Sequence, residues 1–251
     1  MLKKATNFSD WLKSDYAHQY LQRESEFLKQ ALRHVAGPRV LQLGSAVDFE
    51  LIEAVDFPLL LVADIDGSQK NHQQPSMCID PAFTPIQADT LSTIVVPHVL
   101  ERHSLPHQVL REAHRTLMPE GHIVLTGFNP RSALGLQRFL YPKAACPGRY
   151  LTVTRVSDWL QLLGFEIVAS ATFQYSPLIN NRRIRKWFHF LNPVGDRWLP
   201  MLGGGYMITA RKKIFGNTSV GKLSFAHAVP VKKRPRKLAT ATSSSKKVVR
   251  K

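Results

Sequence analysis

The residues with chemistry to offer stand at the ends of short apolar runs: Gly44-Ser45, Asp64, Asp80, His98 and Asn129. Gly44 closes the run Val40-Leu41-Gln42-Leu43, and Asp64 closes Leu59-Leu60-Leu61-Val62-Ala63 about twenty residues later. A glycine at the first position lets a ligand come close to the backbone. A carboxylate at the second can accept hydrogen bonds from ribose hydroxyls. The pair suits an adenosine-type ligand, with Asp66 as the alternative acid if the register slips by two. Gly44 stands alone where a G-x-G-x-x-G fingerprint would need more glycines, which argues against a nicotinamide dehydrogenase. Unperturbed histidine titrates near neutrality, so His98 is a candidate to take a proton from a nucleophile, or to line the cleft.

Other chemistry-bearing residues read more plainly. His103, His107 and His114 do not have metal-motif spacing and fit a solvated helix and its preceding loop. Cys78 and Cys146 lie far apart, which argues against a disulfide framework or a zinc site. Asn129 has no adjoining Pro-Pro-aromatic sequence. Gly203-Gly204-Gly205 precedes an apolar run and lacks the lysine and helix of a phosphate loop, so it reads as a turn. Arg182-Arg183-Ile184-Arg185-Lys186, followed by Trp187 and Phe188, fits a solvated helix face or a basic, aromatic binding surface.

The elements that must position these residues follow from hydrophobic periodicity. Tyr20, Phe27, Leu28, Ala31, Leu32 and Val35 predict an amphipathic helix that ends at Gly37-Pro38. The unbroken runs ending at Gly44 and Asp64 suit strands covered on both faces, as in a parallel sheet. A brief helix over Phe49 to Val55 joins them. Thr93-Ile94-Val95-Val96 and His122-Ile123-Val124-Leu125-Thr126 predict two more strands. Between them lies a helix with Pro106 in its first turn and Val109, Leu110, Ala113 and Leu117 on its apolar face. Pro119-Glu120-Gly121 then reads as a turn. Thr154 is the expected N-cap of a helix carrying Val156, Trp159, Leu160 and Leu163, which Gly164 stops. Strands at Phe165–Val168 and Tyr206–Ala210 complete an open α/β sheet, in which ligands bind beyond the carboxyl ends of the strands.

The middle of the chain is more specific. Thr84-Pro85-Ile86-Gln87-Ala88-Asp89-Thr90-Leu91 runs into Val95-Val96-Pro97-His98-Val99-Leu100-Glu101. Then come Pro106-His107, Leu110-Arg111-Glu112-Ala113, Leu117-Met118-Pro119-Glu120-Gly121 and Gly127-Phe128-Asn129-Pro130. This order resembles the type 11 S-adenosylmethionine-dependent methyltransferase family, and within it a bacterial branch. The resemblance covers roughly residues 20 to 212 and is strongest from Thr84 to Leu134. It implies a Rossmann-like, seven-stranded, mostly parallel sheet with helices on both faces and the last strand antiparallel. It also implies S-adenosylmethionine as cofactor. Gln42, Gly44 and Ser45 fall on its first motif, Asp64 on its ribose-binding acid, Asp80 on the acid near the adenine, and His98 beside the methyl-transfer cleft. The chain departs from the family at two places in that motif: Gln42 replaces the usual acid, and Ala46 the second glycine.

Composition sets the remaining expectations. At 44% hydrophobic, the chain can build a real core. Of the net charge of +16, ten positive charges lie between Asn217 and Lys251 with no acid among them, leaving +6 for residues 1–216. Residues 217–251 therefore read as a basic disordered tail with a nucleic acid or other polyanion as its natural partner, and residues 1–216 as the methyltransferase-like domain. Without an apolar leader after Lys3 and Lys4, or a long apolar span, the expected location is the cytoplasm and no membrane partner is expected. The function expected is methyl transfer to an unidentified acceptor. The alternative is a scaffold of the same fold that binds nucleic acid or protein through its basic surfaces.

Overall fold

In the computed structural model the described residues are 8–12, 14–35, 37–44, 59–64, 76–140, 146–175 and 202–213. The expected helix at 49–55, the basic run at 182–186 and the tail from 217 lie outside them. In chain order the elements are α1 (Phe8–Leu12), α2 (Asp15–Val35), β1 (Arg39–Leu43), β2 (Leu59–Asp64), β3 (Ser76–Cys78), β4 (Leu91–Pro97), α3 (Val99–Arg102) and α4 (Pro106–Thr116). There follow β5 (Leu117–Phe128), α5 (Ala133–Leu140), α6 (Val153–Leu162), β6 (Phe165–Phe173) and β7 (Gly205–Lys212).

The strands form one sheet in the order β3-β2-β1-β4-β5-β7-β6. The pairs from β3 through to β5 are parallel, and β7 runs antiparallel to both β5 and β6. Alternation along each strand feeds two cores. Leu41, Leu43, Ile94, Val96, Ile123, Leu125 and Ile208 meet Val109, Leu110 and Ala113 of α4 and Val156 and Leu160 of α6. Val40, Val62, Val95, Val124 and Met207 meet Phe8 and Trp11 of α1, Tyr20, Leu28 and Leu32 of α2, and Leu134 of α5. Helices thus cover both faces, which is why β1 after its first residue and all of β4 are buried rather than alternating. This is the Rossmann-like α/β class expected.

Two local expectations are corrected. The N-cap of α6 is Thr152, whose hydroxyl accepts the Arg155 N–H at 3.3 Å, and Thr154 instead donates to that same hydroxyl at 3.2 Å. Pro119-Glu120-Gly121 is not a turn between helix and strand, because β5 already begins at Leu117. Leu91 pairs with Leu117 while Thr93 pairs with His122, so the intervening residues are absorbed as an irregularity within the strand. Glu120 takes the left-handed conformation, φ 64, that this requires.

Candidate active site

The carboxyl ends of β1 to β5 lie along one edge of the sheet, and each expected site residue except Ser45 falls among the described residues there. Gly44 directly follows β1 with φ +89, a conformation that a side chain rarely adopts. Its N–H donates to the Ala63 carbonyl at 2.6 Å, and a Cβ added to it would sit 2.8 Å from the Val99 side chain. A glycine is therefore needed both for the bend and for the close passage beneath α3. Gln42 is fully buried, on the face of β1 shared with Val40 and covered by α2. Its Nε2 donates to the Gly44 carbonyl at 2.9 Å, which fixes the amide orientation. Its Oε1 is buried with no hydrogen-bond partner.

Asp64 is the last residue of β2 and pairs in register with Cys78 of β3. Asp80 follows β3, and its side chain is 50% exposed. One Asp80 oxygen accepts the Ala82 N–H at 2.8 Å and the His103 Nε2–H at 2.9 Å. The proton belongs on Nε2 because His103 Nδ1 accepts the Leu105 N–H at 3.0 Å. Asp80 is thereby tied to the loop between α3 and α4. The three loop-and-helix histidines have separate surroundings: His107 packs on Trp159 and His114 meets Phe165 edge-on. Asn129 joins two elements, its Nδ2 donating to the Gly203 carbonyl at 3.1 Å and its Oδ1 accepting the Arg131 N–H at 3.1 Å. The glycine triplet thus serves as the entry to β7, packed against the end of β5.

His98 is placed differently from a cleft base. It sits just past β4 in the left-handed region, φ 54, and is 0% exposed. Its Nε2 lies 3.2 Å from Glu24 Oε2 of α2, and its Nδ1 lies 2.9 Å from Glu101 Oε2 of α3. Burial pulls the imidazole pKa down, but the two carboxylates more than reverse this and raise it to about 10. At neutral pH both ring nitrogens carry protons and donate them, so the ring has no lone pair with which to take another. Glu101 also accepts the Phe128 N–H, which clamps the end of β5 to α3. Burial holds the Glu101 carboxyl above its ordinary pKa, while His98 and the Phe128 N–H oppose that rise. The His98 ring stacks on Phe128 at 4.2 Å between centroids.

Sequence reasoning did not single out Glu24, Glu101 or Tyr20 as parts of one cluster. The signal was present in α2, where Tyr20, Glu24, Leu28 and Leu32 follow one another at helical spacing, an acid within an apolar stripe. Glu24 Oε1 and the Tyr20 hydroxyl are buried without partners.

Comparisons with known proteins agree with this architecture. No protein-family model matches the chain. Among curated proteins it is similar to "Uncharacterized protein YafS" of Escherichia coli (strain K12), at 31% identity over 137 residues. The match spans 53% of this chain and 53% of that protein, about half the length of each. Among solved structures it is similar to a SAM-dependent methyltransferase from Archaeoglobus fulgidus, with TM-score 0.56 and 17% identity over 76% of this chain and 94% of that one. A SAM-dependent methyltransferase from Thermotoga maritima gives TM-score 0.60 and 13% identity over 82% and 94%. The (4+2)-cyclase SpnF gives TM-score 0.50 and 19% identity over 76% and 80%. The chain has the fold of the SAM-dependent methyltransferases, and the cyclase shows that this fold also hosts other chemistry.

Proposed function

We propose that this chain is a cytoplasmic S-adenosylmethionine-dependent methyltransferase, within the type 11 family, that acts on an acceptor beside the ends of β4 and β5. The observation that carries the reading is the first strand end. A glycine bent to φ +89 adjoins a fully buried glutamine whose Oε1 is left without a partner, on a sheet of methyltransferase fold. A buried acceptor of this kind calls for an N–H or O–H donor, and the cofactor's ammonium group is one. A carboxamide can accept that hydrogen bond in place of the family's acid, without its charge, so the residues fit the group. Gln42, Gly44 and Ser45 would hold the methionine end, Asp64 the ribose and Asp80 the region of the adenine. When bound, S-adenosylmethionine supplies a methyl group on a sulfonium centre.

The chain's own contribution is to align the acceptor and to exclude water, and alignment alone accounts for much of the effect in such transfers. His98 acts as a positioning residue: a buried cation that fixes α2 and the end of β5 about the acceptor side. The order of motifs from Thr84 to Leu134 supports the type 11 assignment. A further part of the reading is a domain over residues 1–216 with a basic tail, 217–251, as a polyanion-binding arm. With about five phosphates of duplex DNA neutralised, the log–log salt slope would be about −4 to −5.

Calorimetric titration of S-adenosylmethionine and S-adenosylhomocysteine tests the cofactor assignment. Hydrogen bonds to a charged group contribute about 1.5–3 kcal/mol, so Asp64→Ala should weaken binding about ten- to a hundredfold. Asp66→Ala, the register control, should do much less. No binding of either ligand to the wild type at millimolar concentration would refute the proposal and favour a scaffold role.

A further inference from the structure

From Gly121 to Ser157 the chain contains no aspartate or glutamate, yet it carries Arg131, Arg138, Lys143, Arg149 and Arg155. The fold brings much of this stretch to the acceptor side of the sheet edge. Arg131 follows the end of β5, Arg138 lies on α5, and Arg149 lies on the segment leading to α6; all three are exposed. That segment is fastened where the site residues are, since the Arg149 N–H donates to the Glu101 carbonyl at 2.9 Å. Arg138 Nη1 donates to the Gly148 carbonyl at 2.7 Å, and its guanidinium lies 4.9 Å over the Tyr150 ring. Tyr150 stacks on Phe128 at 5.1 Å, and Phe128 on His98 at 4.2 Å. A file of planar groups thus runs from an exposed guanidinium down to the buried end of β4.

Among the described residues the counter-charges are elsewhere. Arg115 and Arg211 are ion-paired with Glu112, Glu120 and Glu166, whereas Arg131, Arg138 and Arg149 reach no described carboxylate. The described carboxylates nearest this stretch, Glu24 and Glu101, are buried beside His98. Gathering like charges without described partners opposes folding through self-repulsion, unless an anion occupies the site. Among the described residues Arg138 spends one of its five N–H donors, on the Gly148 carbonyl, and is held in place, which leaves donors in a fixed fork.

We infer that the methyl acceptor is a single-stranded nucleic acid whose phosphates seat on Arg131, Arg138 and Arg149, an inference that rests on the methyl-transfer reading above. A lone phosphorylated metabolite would need one such contact, whereas this rim is spread over several segments and belongs to a chain whose tail adds ten further cations. A single strand also presents its bases without the unpairing that a duplex demands.

The test uses the full chain and fluorescently labelled single-stranded RNA and DNA oligonucleotides, titrated by anisotropy at several salt concentrations. Arg131→Gln/Arg149→Gln removes two exposed cations whose side chains make no described contact, and Arg138→Gln is added in a triple variant. The tail control replaces Lys232, Lys233, Arg234, Arg236 and Lys237 with serine. The double variant should bind at least about tenfold more weakly, with the salt slope reduced by about 0.7 for each phosphate contact removed. This loss should persist in the tail-substituted background. Each single variant, with an unchanged unfolding midpoint, guards against a folding artefact. Labelled methyl groups should pass from the cofactor to one of the oligonucleotides, and S-adenosylhomocysteine binding should be unchanged in every rim variant. Rim variants that bind like the parent, with the tail variant alone losing affinity, would overturn the inference. So would the absence of methylation of either nucleic acid while S-adenosylhomocysteine still binds, an outcome that leaves the methyltransferase reading standing. Failure of S-adenosylhomocysteine to bind the parent would instead remove both.

Discussion

Replacing His98 with asparagine separates the roles of positioning cation and general base. His98 lies between Glu24 and Glu101 at 3.2 and 2.9 Å with no exposed surface. Asparagine is the replacement of choice because the backbone there has φ 54, and asparagine tolerates the left-handed region better than an apolar residue would. The charge effect is then measured without an added backbone penalty. Removing the cation leaves two carboxylates facing each other in the core, and breaking a buried pair in this way costs about 3–5 kcal/mol. For a domain of this size each kcal/mol lowers Tm by about 2–4 °C, so a fall of roughly 6–20 °C is expected.

Urea unfolding across pH adds a second reading. The folded-state pKa of His98 lies at about 10, above its ordinary 6.5. The folded protein therefore holds a proton that the unfolded chain releases between those values. That stabilisation is complete below pH 6.5 and is lost as pH rises through about 10. Wild-type stability should fall across this window, and the fall should be much smaller in His98→Asn. The variant should instead regain stability on acidification, because its buried carboxylates can then take up protons. A loss below about 1 kcal/mol, with parallel pH curves, would refute the argument, since a partnerless buried carboxylate cannot be that cheap. Intact stability with abolished methyl transfer would return His98 to the role of base.

Other outcomes follow from single features. Gly44→Ala should destabilise by about 1–2 kcal/mol from its left-handed backbone alone, and more because the new methyl meets Val99; denaturation together with cofactor calorimetry would register both effects. Thr152→Ala should cost about 1 kcal/mol through the lost α6 cap, whereas Thr154→Ala should cost less, and comparison of their denaturation midpoints decides which threonine caps the helix. Gly205→Ala should destabilise strongly, because the added carbon would meet the Tyr20 hydroxyl and the Phe173 ring; its Tm would show this. Brief trypsin treatment should trim the basic tail and leave a resistant body ending near residue 216, as mass spectrometry would record.

The strand ends could be read from sequence because a strand covered on both faces has to be apolar until it stops. Gly44, Asp64 and His98 mark those stops, and the parallel pairing puts them along one edge. The α6 cap was misplaced because Thr152 and Thr154 carry the same local signal, and only the backbone geometry decides between them. Pro119-Glu120-Gly121 has the composition of a turn, yet pairing with β4 on either side of it keeps the chain in one strand. The surroundings of His98 were hidden for a different reason. Glu24 is 74 residues away in sequence, and no local pattern says that an acid in an apolar helical stripe will meet a histidine across the core. Periodicity reports which face is buried but not which buried polar groups find each other.

That cluster also explains how the β1 and β5 ends of the edge are held to one another. Val99 opens α3 directly after His98, and it is against Val99 that Gly44 passes without room for a side chain. Two residues on, Glu101 holds both His98 and the Phe128 N–H, and its own carbonyl holds Arg149. Through residues 98–101 the bend after β1, the end of β5 and the arginine-bearing segment share one short piece of backbone. An apolar core of the same volume would be about as stable as a buried ion cluster. It would not fix the direction in which each of these strand ends points, since apolar contacts are non-directional whereas the bonds to His98 and Phe128 each admit one geometry. The polar cluster therefore does in this fold what packing alone does not: it sets the orientation of the β5 end relative to the glycine bend.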